Sequence, residues 1–137
     1  MSPRHYQFPY VKFHGKFYPL IPLTLRRGRY SVNTFALLDS GASISLFRPE
    51  IAQALHLPRA SHDAMRLDTA SGKVNIKVNK VNVEIEQTKF ISKIGFSDAF
   101  AASFNILGRE GFFHRFSICF NEVMKTVILV PLDGLGS

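Results

Sequence analysis

Cysteine is nearly missing from this 137-residue chain, and tryptophan is missing altogether. The one thiol, Cys119, sits in the alternating run Phe116-Ser117-Ile118-Cys119-Phe120. It has no partner for an intrachain disulfide, which excludes a cross-linked scaffold and suits a reducing compartment. No stretch approaches the roughly 20 apolar residues of a membrane-spanning helix. The opening Met1-Ser2-Pro3-Arg4-His5 lacks the apolar core of a secretory signal, so a cytoplasmic location is expected. Histidines are scattered at His5, His14, His56, His62 and His114 without ligand spacing, and no H-E-x-x-H is present. No metal site is expected from them. Acidic residues are scarce: ten stand against seventeen Lys and Arg, for a net charge of +7. The densest basic cluster, Arg26-Arg27-Gly28-Arg29, reads as a solvated hairpin tip, since no nucleic-acid motif accompanies it.

Apolar residues are plentiful. Hydrophobic residues make up 46% of the chain and thirteen are Phe, a globular composition that excludes a disordered tail. The length fits one domain spanning residues 1–137. The patterning is β-rich. Phe8 to Phe13, Phe17 to Leu25 and Tyr30 to Leu38 read as strands, with Pro19 and Pro22 marking an edge. Pro49, Ile51, Ala52, Ala54 and Leu55 give the one clear helix, stopped before Pro58. Met65 to Thr69 and Val74 to Val78 flank Ala70-Ser71-Gly72-Lys73, a hairpin with a small-residue tip. Val81, Val83 and Ile85 alternate with Asn82, Glu84 and Glu86, and Phe90 to Phe96 is a further strand. Gly111 to Phe116 is expected to form a short helix, its phenylalanines packing the core, and Ile118 to Phe120 pairs with Val127 to Val130.

The chemistry concentrates at Asp39-Ser40-Gly41-Ala42, delivered by the apolar run Phe35-Ala36-Leu37-Leu38. A carboxylate carried out of a core strand on a tight Gly turn loses solvation unless hydrogen bonds or a shared proton relieve it. A second apolar strand, Asn105-Ile106-Leu107-Gly108-Arg109, also ends in Gly, and the Gly-tipped hairpin lies between the two. In this ordered set, from about Tyr18 to Val130, the sequence resembles the retropepsin-like, retroviral-type single-domain aspartic proteases.

The resemblance implies an all-β, retropepsin-like acid protease fold: a closed, barrel-like β-rich domain with short helices and one flap hairpin, working as a homodimer. It implies an aspartic endopeptidase with no metal or organic cofactor and a polypeptide substrate. Asp39 matches the catalytic acid, with Ser40 and Gly41 supporting the loop. Ser40 matches a hydroxyl that bonds across the two-fold axis, and Gly41 a residue that allows unusual backbone angles and turns amides toward the carboxylate. Ala42, Ala70, Ser71 and Gly72 match substrate-contacting positions, the last three at the flap tip. Ile106, Leu107, Gly108 and Arg109 match the structural second motif. The carboxylate that pairs with this Arg in relatives is replaced here by Ser43 or Ile44.

The reaction needs two carboxylates sharing one proton, because like charges a few Å apart do not both ionise. One chain supplies only one. Asp68-Thr69 is followed by Ala70 and preceded by Ala64-Met65-Arg66-Leu67, no continuous apolar strand, so Asp68 reads as a flap residue. The second acid is therefore expected from a second copy of the chain. Three alternatives come from other classes. A catalytically inert module of the same fold would dimerise or bind peptides. Gly41-Ala42-Ser43-Ile44-Ser45 approaches a nucleophile elbow but lacks its final Gly. A nucleic-acid-binding barrel is supported by charge alone, and no nucleic-acid partner is expected.

Overall fold

The computed structural model describes residues 4–58, 64–69, 72–100 and 102–132. Among the described residues no helix is long and apolar enough to cross a membrane.

The chain alternates two patterns. Strands from the two ends of the described chain form a three-stranded sheet, and strands from the segment between them form a seven-stranded sheet. β1 (Tyr6–Pro9), β12 (Thr126–Pro131) and β11 (Phe116–Asn121) make the first, in that order and antiparallel throughout. β2 (Val11–Phe13) and β3 (Lys16–Tyr18) form a separate two-stranded ribbon. The larger sheet runs β4 (Leu20–Arg27), β5 (Tyr30–Leu38), β10 (Asn105–Leu107), β6 (Ser45–Phe47), β9 (Thr88–Phe96), β8 (Gly72–Ile85) and β7 (Ala64–Thr69). β8 also pairs with β4 through Thr24–Glu84, Leu25–Val83 and Arg26–Asn82. That contact closes six of the strands into a barrel and leaves β7 attached outside as half of a hairpin. The expected closed β-rich fold is what forms.

Alternation determines which residues fill the barrel. Ile21, Leu23 and Leu25 of β4 face Ala36, Thr34 and Val32 of β5, and the two β4 ends of this row, Ile21 and Leu25, are fully buried. Val81, Val83 and Ile85 join them from β8, Ile94 from β9, Leu107 from β10 and Phe47 from β6. The expected strand breaks differ in detail. The segments around Val74–Val78 and Val81–Ile85 are one 14-residue strand, since Asn79 and Lys80 keep their ladder partners Ile94 and Lys93. Along it the buried side changes face, from Ile76 to Val81, as the strand leaves the barrel for the hairpin. Phe8 to Phe13 divides at Tyr10 into strands of different sheets, and Pro19 divides Phe17 to Leu25. β6 escaped the pattern because three residues beginning with a serine carry no period.

The helix α1 spans Pro49–Ala54 with Pro49 in its first turn, where a missing N–H costs nothing. The segment 111–116 contains only a 3₁₀ turn, Phe113–Arg115. Its phenylalanines pack as expected: Phe112 stacks on Phe116 at 4.9 Å and both are buried. The basic hairpin tip between β4 and β5 is occupied internally. Arg26 pairs with Glu84 at 2.8 Å, Arg27 donates to the His56 carbonyl at 2.5 Å beyond α1, and Arg29 lies over the Tyr30 ring.

The buried Tyr10 phenol donates to Glu122, linking the entry of β2 to the β11–β12 turn, and the Tyr10 amide donates to Lys125 O at 2.8 Å. Burial first, and the Glu122 carboxylate second, push the phenol from 10.0 up to about 12. The folded chain therefore holds this proton more tightly than the unfolded one. Its contribution is complete below pH 10 and is lost as pH rises through about 12. Tyr10→Phe should flatten the fall in urea midpoint across that window.

Candidate active site

Asp39 follows directly on β5, whose Ala36 and Leu38 point into the barrel. Its amide donates to the Leu107 carbonyl at 3.1 Å, extending the parallel β5–β10 pairing by one step. The loop then doubles back: Ala42 N donates to Asp39 O at 3.1 Å, and Gly41 N donates to Asp39 Oδ1 at 2.9 Å. Asp39 is half-buried, while Ser40 and Gly41 are exposed. The carboxylate thus has one oxygen fixed by a backbone donor and meets solvent on the loop surface, rather than lying desolvated beneath it.

The return limb is clamped by the segment after β10. Arg109 N donates to Ala42 O and Glu110 N to Ser43 O, both at 2.9 Å, and Ile44 bridges Glu110 in parallel. Gly108 N donates to the fully buried Ser45 Oγ at 3.0 Å. β10 therefore lies between the incoming strand β5 and the outgoing strand β6, and holds the loop from both sides. At Gly108 there is no room for a side chain. A Cβ would stand 2.5 Å from the Ile44 carbonyl carbon and 2.9 Å from Ala42 O. Gly41 has a different reason to be glycine from the one its sequence context suggests. Its φ is not among the positive ones, and an added Cβ would meet Asp39 Oδ1 at 3.2 Å.

Asn105 supports this assembly from below. Its Oδ1 accepts from Arg48 N at 2.8 Å, and its Nδ2 donates to Thr34 Oγ1 at 3.1 Å and Phe35 O at 3.0 Å. Arg48 Nη1 reaches the Ala102 carbonyl. Asn105 is buried, so Asn105→Ala strands the Arg48 amide and the Phe35 carbonyl. Urea unfolding should show a loss of about 3 kcal/mol.

The face of the sheet opposite the barrel core carries a row that sequence reading missed. Leu37 lies opposite Ile106, Ile106 opposite Leu46, Leu46 opposite Gly95 and Gly95 opposite Val78. Leu37, Ile106, Leu46 and Val78 are half-buried. A Cβ on Gly95 would meet Leu46 at 2.9 Å, Ile76 at 3.3 Å and Ile44 at 3.4 Å. The row begins beside Asp39 and ends on the strand of the flap hairpin. Its sequence signal is opposite parity: Leu37 precedes the buried Leu38, and Ile106 the buried Leu107.

The structure brings Asp39, Ser40, Gly41 and Ala42 together with Leu107, Gly108 and Arg109, and sets Ile106 on the apolar row. Gly72, with φ of +120°, pairs with Thr69 where β7 and β8 meet. Ala70 and Ser71 lie outside the described residues. Asp68 is on β7, at the far end of the sheet order from β5, opposite Lys73. Arg109 is exposed, and its guanidinium has no partner among the described residues. Among the described residues no group of His, Cys, Asp and Glu is arranged to hold a metal ion.

Residues 24–108, most of the barrel and the Asp39 loop as far as Gly108, match the family model for aspartyl proteases. The chain belongs to the aspartyl protease family. Its fold is that of the retropepsins. A retropepsin-like aspartic protease from Rickettsia conorii superposes with a TM-score of 0.68 at 21% identity, covering 93% of this chain and 92% of that one. The EIAV protease complexed with the inhibitor HBY-793 superposes with a TM-score of 0.56 at 17% identity, covering 72% of this chain and 88% of the other. No curated protein sequence matches. Both likenesses are of fold. The span matched by the family model includes the loop that carries Asp39.

Proposed function

We propose that this aspartyl protease is an endopeptidase whose dyad is Asp39 from each of two copies of the chain. The observation that carries the reading is the single carboxylate held at the loop surface by the Gly41 amide, with the loop clamped by Gly108 and Arg109. The likeness to proteases solved as such supports it.

Two such carboxylates across a two-fold axis share one proton. The ionised one takes a proton from water as the water attacks the scissile carbonyl carbon. The protonated one donates to the carbonyl oxygen, giving a tetrahedral diol. Protonation of the amide nitrogen and collapse of the diol then break the C–N bond and return the dyad to its starting state. Ser40 bonds its counterpart across the axis and fixes the two loops. Ala42 leaves space for the substrate main chain. The β7–β8 hairpin, closing over the substrate, would exclude water. An extended polypeptide suits the cleft because its side chains alternate, and every second one meets the row Leu37–Ile106–Leu46–Val78. Apolar side chains next to the cut bond are the expected preference.

The test is cleavage of a denatured protein substrate from acid to neutral pH at high enzyme concentration, comparing wild type with Asp39→Asn. Cleavage lost in the variant supports the dyad. A folded dimer that cleaves nothing in either form points to an inert peptide-binding module instead.

A further inference from the structure

β6 is a three-residue strand in the barrel wall, and its first residue is a serine with no exposed surface. A buried hydroxyl is costly unless it is hydrogen-bonded, so an apolar side chain would be the ordinary choice between Ile44 and Leu46. The backbone of Ser45 is fixed by parallel pairing with Ile94 of β9, itself fully buried. The β10–β6 ladder is a single register pair, Ile106–Leu46. Where it ends, Ser45 Oγ supplies the acceptor for the buried Gly108 amide at 3.0 Å.

The same peptide unit faces Asp39. A trans peptide points its N–H and its C=O to opposite sides. While Gly108 N turns to Ser45, Leu107 O turns to the end of β5 and accepts from Asp39 N at 3.1 Å. The next peptide unit repeats the arrangement: Arg109 N donates to Ala42 O at 2.9 Å, and Gly108 O accepts from Phe113 N at 3.2 Å. Two consecutive units therefore hold the two ends of the Asp39–Ala42 turn, which closes on itself through Ala42 N and Asp39 O. The second is braced from behind by main chain, the first by a side chain.

We propose that Ser45 is a positioning residue for the Asp39 carboxylate, acting through the Leu107–Gly108 peptide unit. The role rests on the reading of Asp39 as a catalytic acid. A peptide unit is stiff, so an N–H that loses its buried acceptor and turns takes its carbonyl with it. A turn of about 30° carries the carbonyl oxygen by about 1 Å, and Asp39 N follows it. Misplacement of that size costs roughly 10²-fold in rate. Ser45 itself is sealed in the barrel wall, so the effect falls on turnover rather than on substrate binding.

Ser45→Ala and Ser45→Cys should each lower kcat by roughly tenfold to a hundredfold with KM nearly unchanged, since alanine lacks the acceptor and sulfur is a weak one. Ser45→Thr keeps the oxygen and should restore most of the rate. Val83→Ala, a cavity in the barrel core, controls for lost stability and should keep the wild-type kcat wherever the variant is folded. If the added methyl of Thr does not fit the buried site, Ala and Cys against Val83→Ala decide. A second readout needs no activity. In Ser45→Ala, hydrogen exchange at the Asp39 amide should speed at least about tenfold relative to the amides of β8 and β9, whereas Val83→Ala moves them together. Wild-type kcat in Ser45→Ala, or an equal loss in Val83→Ala, overturns the proposal. Asp39 exchange that merely tracks β8 and β9 overturns it too. If Asp39→Asn still cleaves, the dyad reading falls and the rate comparison with it; selective exchange at Asp39 then still supports the link from Ser45, and its absence overturns it.

Discussion

Asp39→Asn should lower cleavage of an unfolded protein substrate by at least about 10⁴-fold while leaving stability almost unchanged. The amide keeps an oxygen for the Gly41 N–H, now 2.9 Å from Oδ1, so the loop retains its local hydrogen bond. What the variant loses is ionisation. In the proposed homodimer both the acid and the base disappear together, and each role is worth about 10²–10⁴ in rate. Mixing subunits sharpens the test, because each copy supplies half a site. With equal amounts of wild type and variant exchanging freely, only about a quarter of the dimers hold two Asp39 residues, so activity per wild-type chain should halve. Rates unchanged by the added variant would rule out a shared site. The pH profile should fall on both sides of its maximum, since either a doubly ionised or a doubly protonated pair stops the reaction. Activity that persists in Asp39→Asn excludes the dyad outright.

Much of this architecture was legible because it is written in local patterns. Val81, Val83 and Ile85 alternating with polar residues can only bury one face, and they do. The two strand-to-Gly ends, Asp39-Ser40-Gly41 and Leu107-Gly108, stood out in the sequence, and hydrogen bonds from Arg109 and Glu110 tie the segment after the second to the loop after the first. What stayed hidden is non-local. Barrel closure joins Thr24–Arg26 to Asn82–Glu84, and no period in either segment encodes the other. β6 has three residues and is defined by its neighbours β9 and β10. The apolar row from Leu37 to Val78 depends on knowing which parity faces the barrel, so it becomes visible only after Ala36, Leu38 and Leu107 are placed inside. Gly41 illustrates a residue identified by pattern for a reason the structure replaces: proximity to Oδ1, not an unusual φ.

Gly108→Ala should be the most destabilising single-methyl change in the loop assembly, by about 3–5 kcal/mol in urea unfolding. The added carbon would lie 2.5 Å from the Ile44 carbonyl carbon and 2.9 Å from Ala42 O. Both neighbours are backbone, so no rotamer change relieves the overlap. Moving Ile44 away breaks the Glu110 bridge, and moving residue 108 away breaks its bond to Ser45 Oγ. Either route also releases the Arg109–Ala42 bond that holds the far side of the Asp39 loop. Gly41→Ala provides the contrast. Its Cβ would meet only the Asp39 Oδ1 side-chain oxygen at 3.2 Å, and the residue is exposed with no left-handed φ to oppose a side chain. Rotation of the carboxylate relieves that contact at a stability cost of about 1 kcal/mol or less. The same rotation takes Oδ1 off the Gly41 amide and turns the carboxylate of the proposed dyad out of register, where an error of about 1 Å costs roughly 10²-fold in rate. Gly108→Ala should therefore show its damage first in the urea midpoint, and Gly41→Ala in turnover by a protein of nearly normal stability. Equal losses of stability in the two would mean that the clamp around Gly108 is more pliable than its backbone contacts allow.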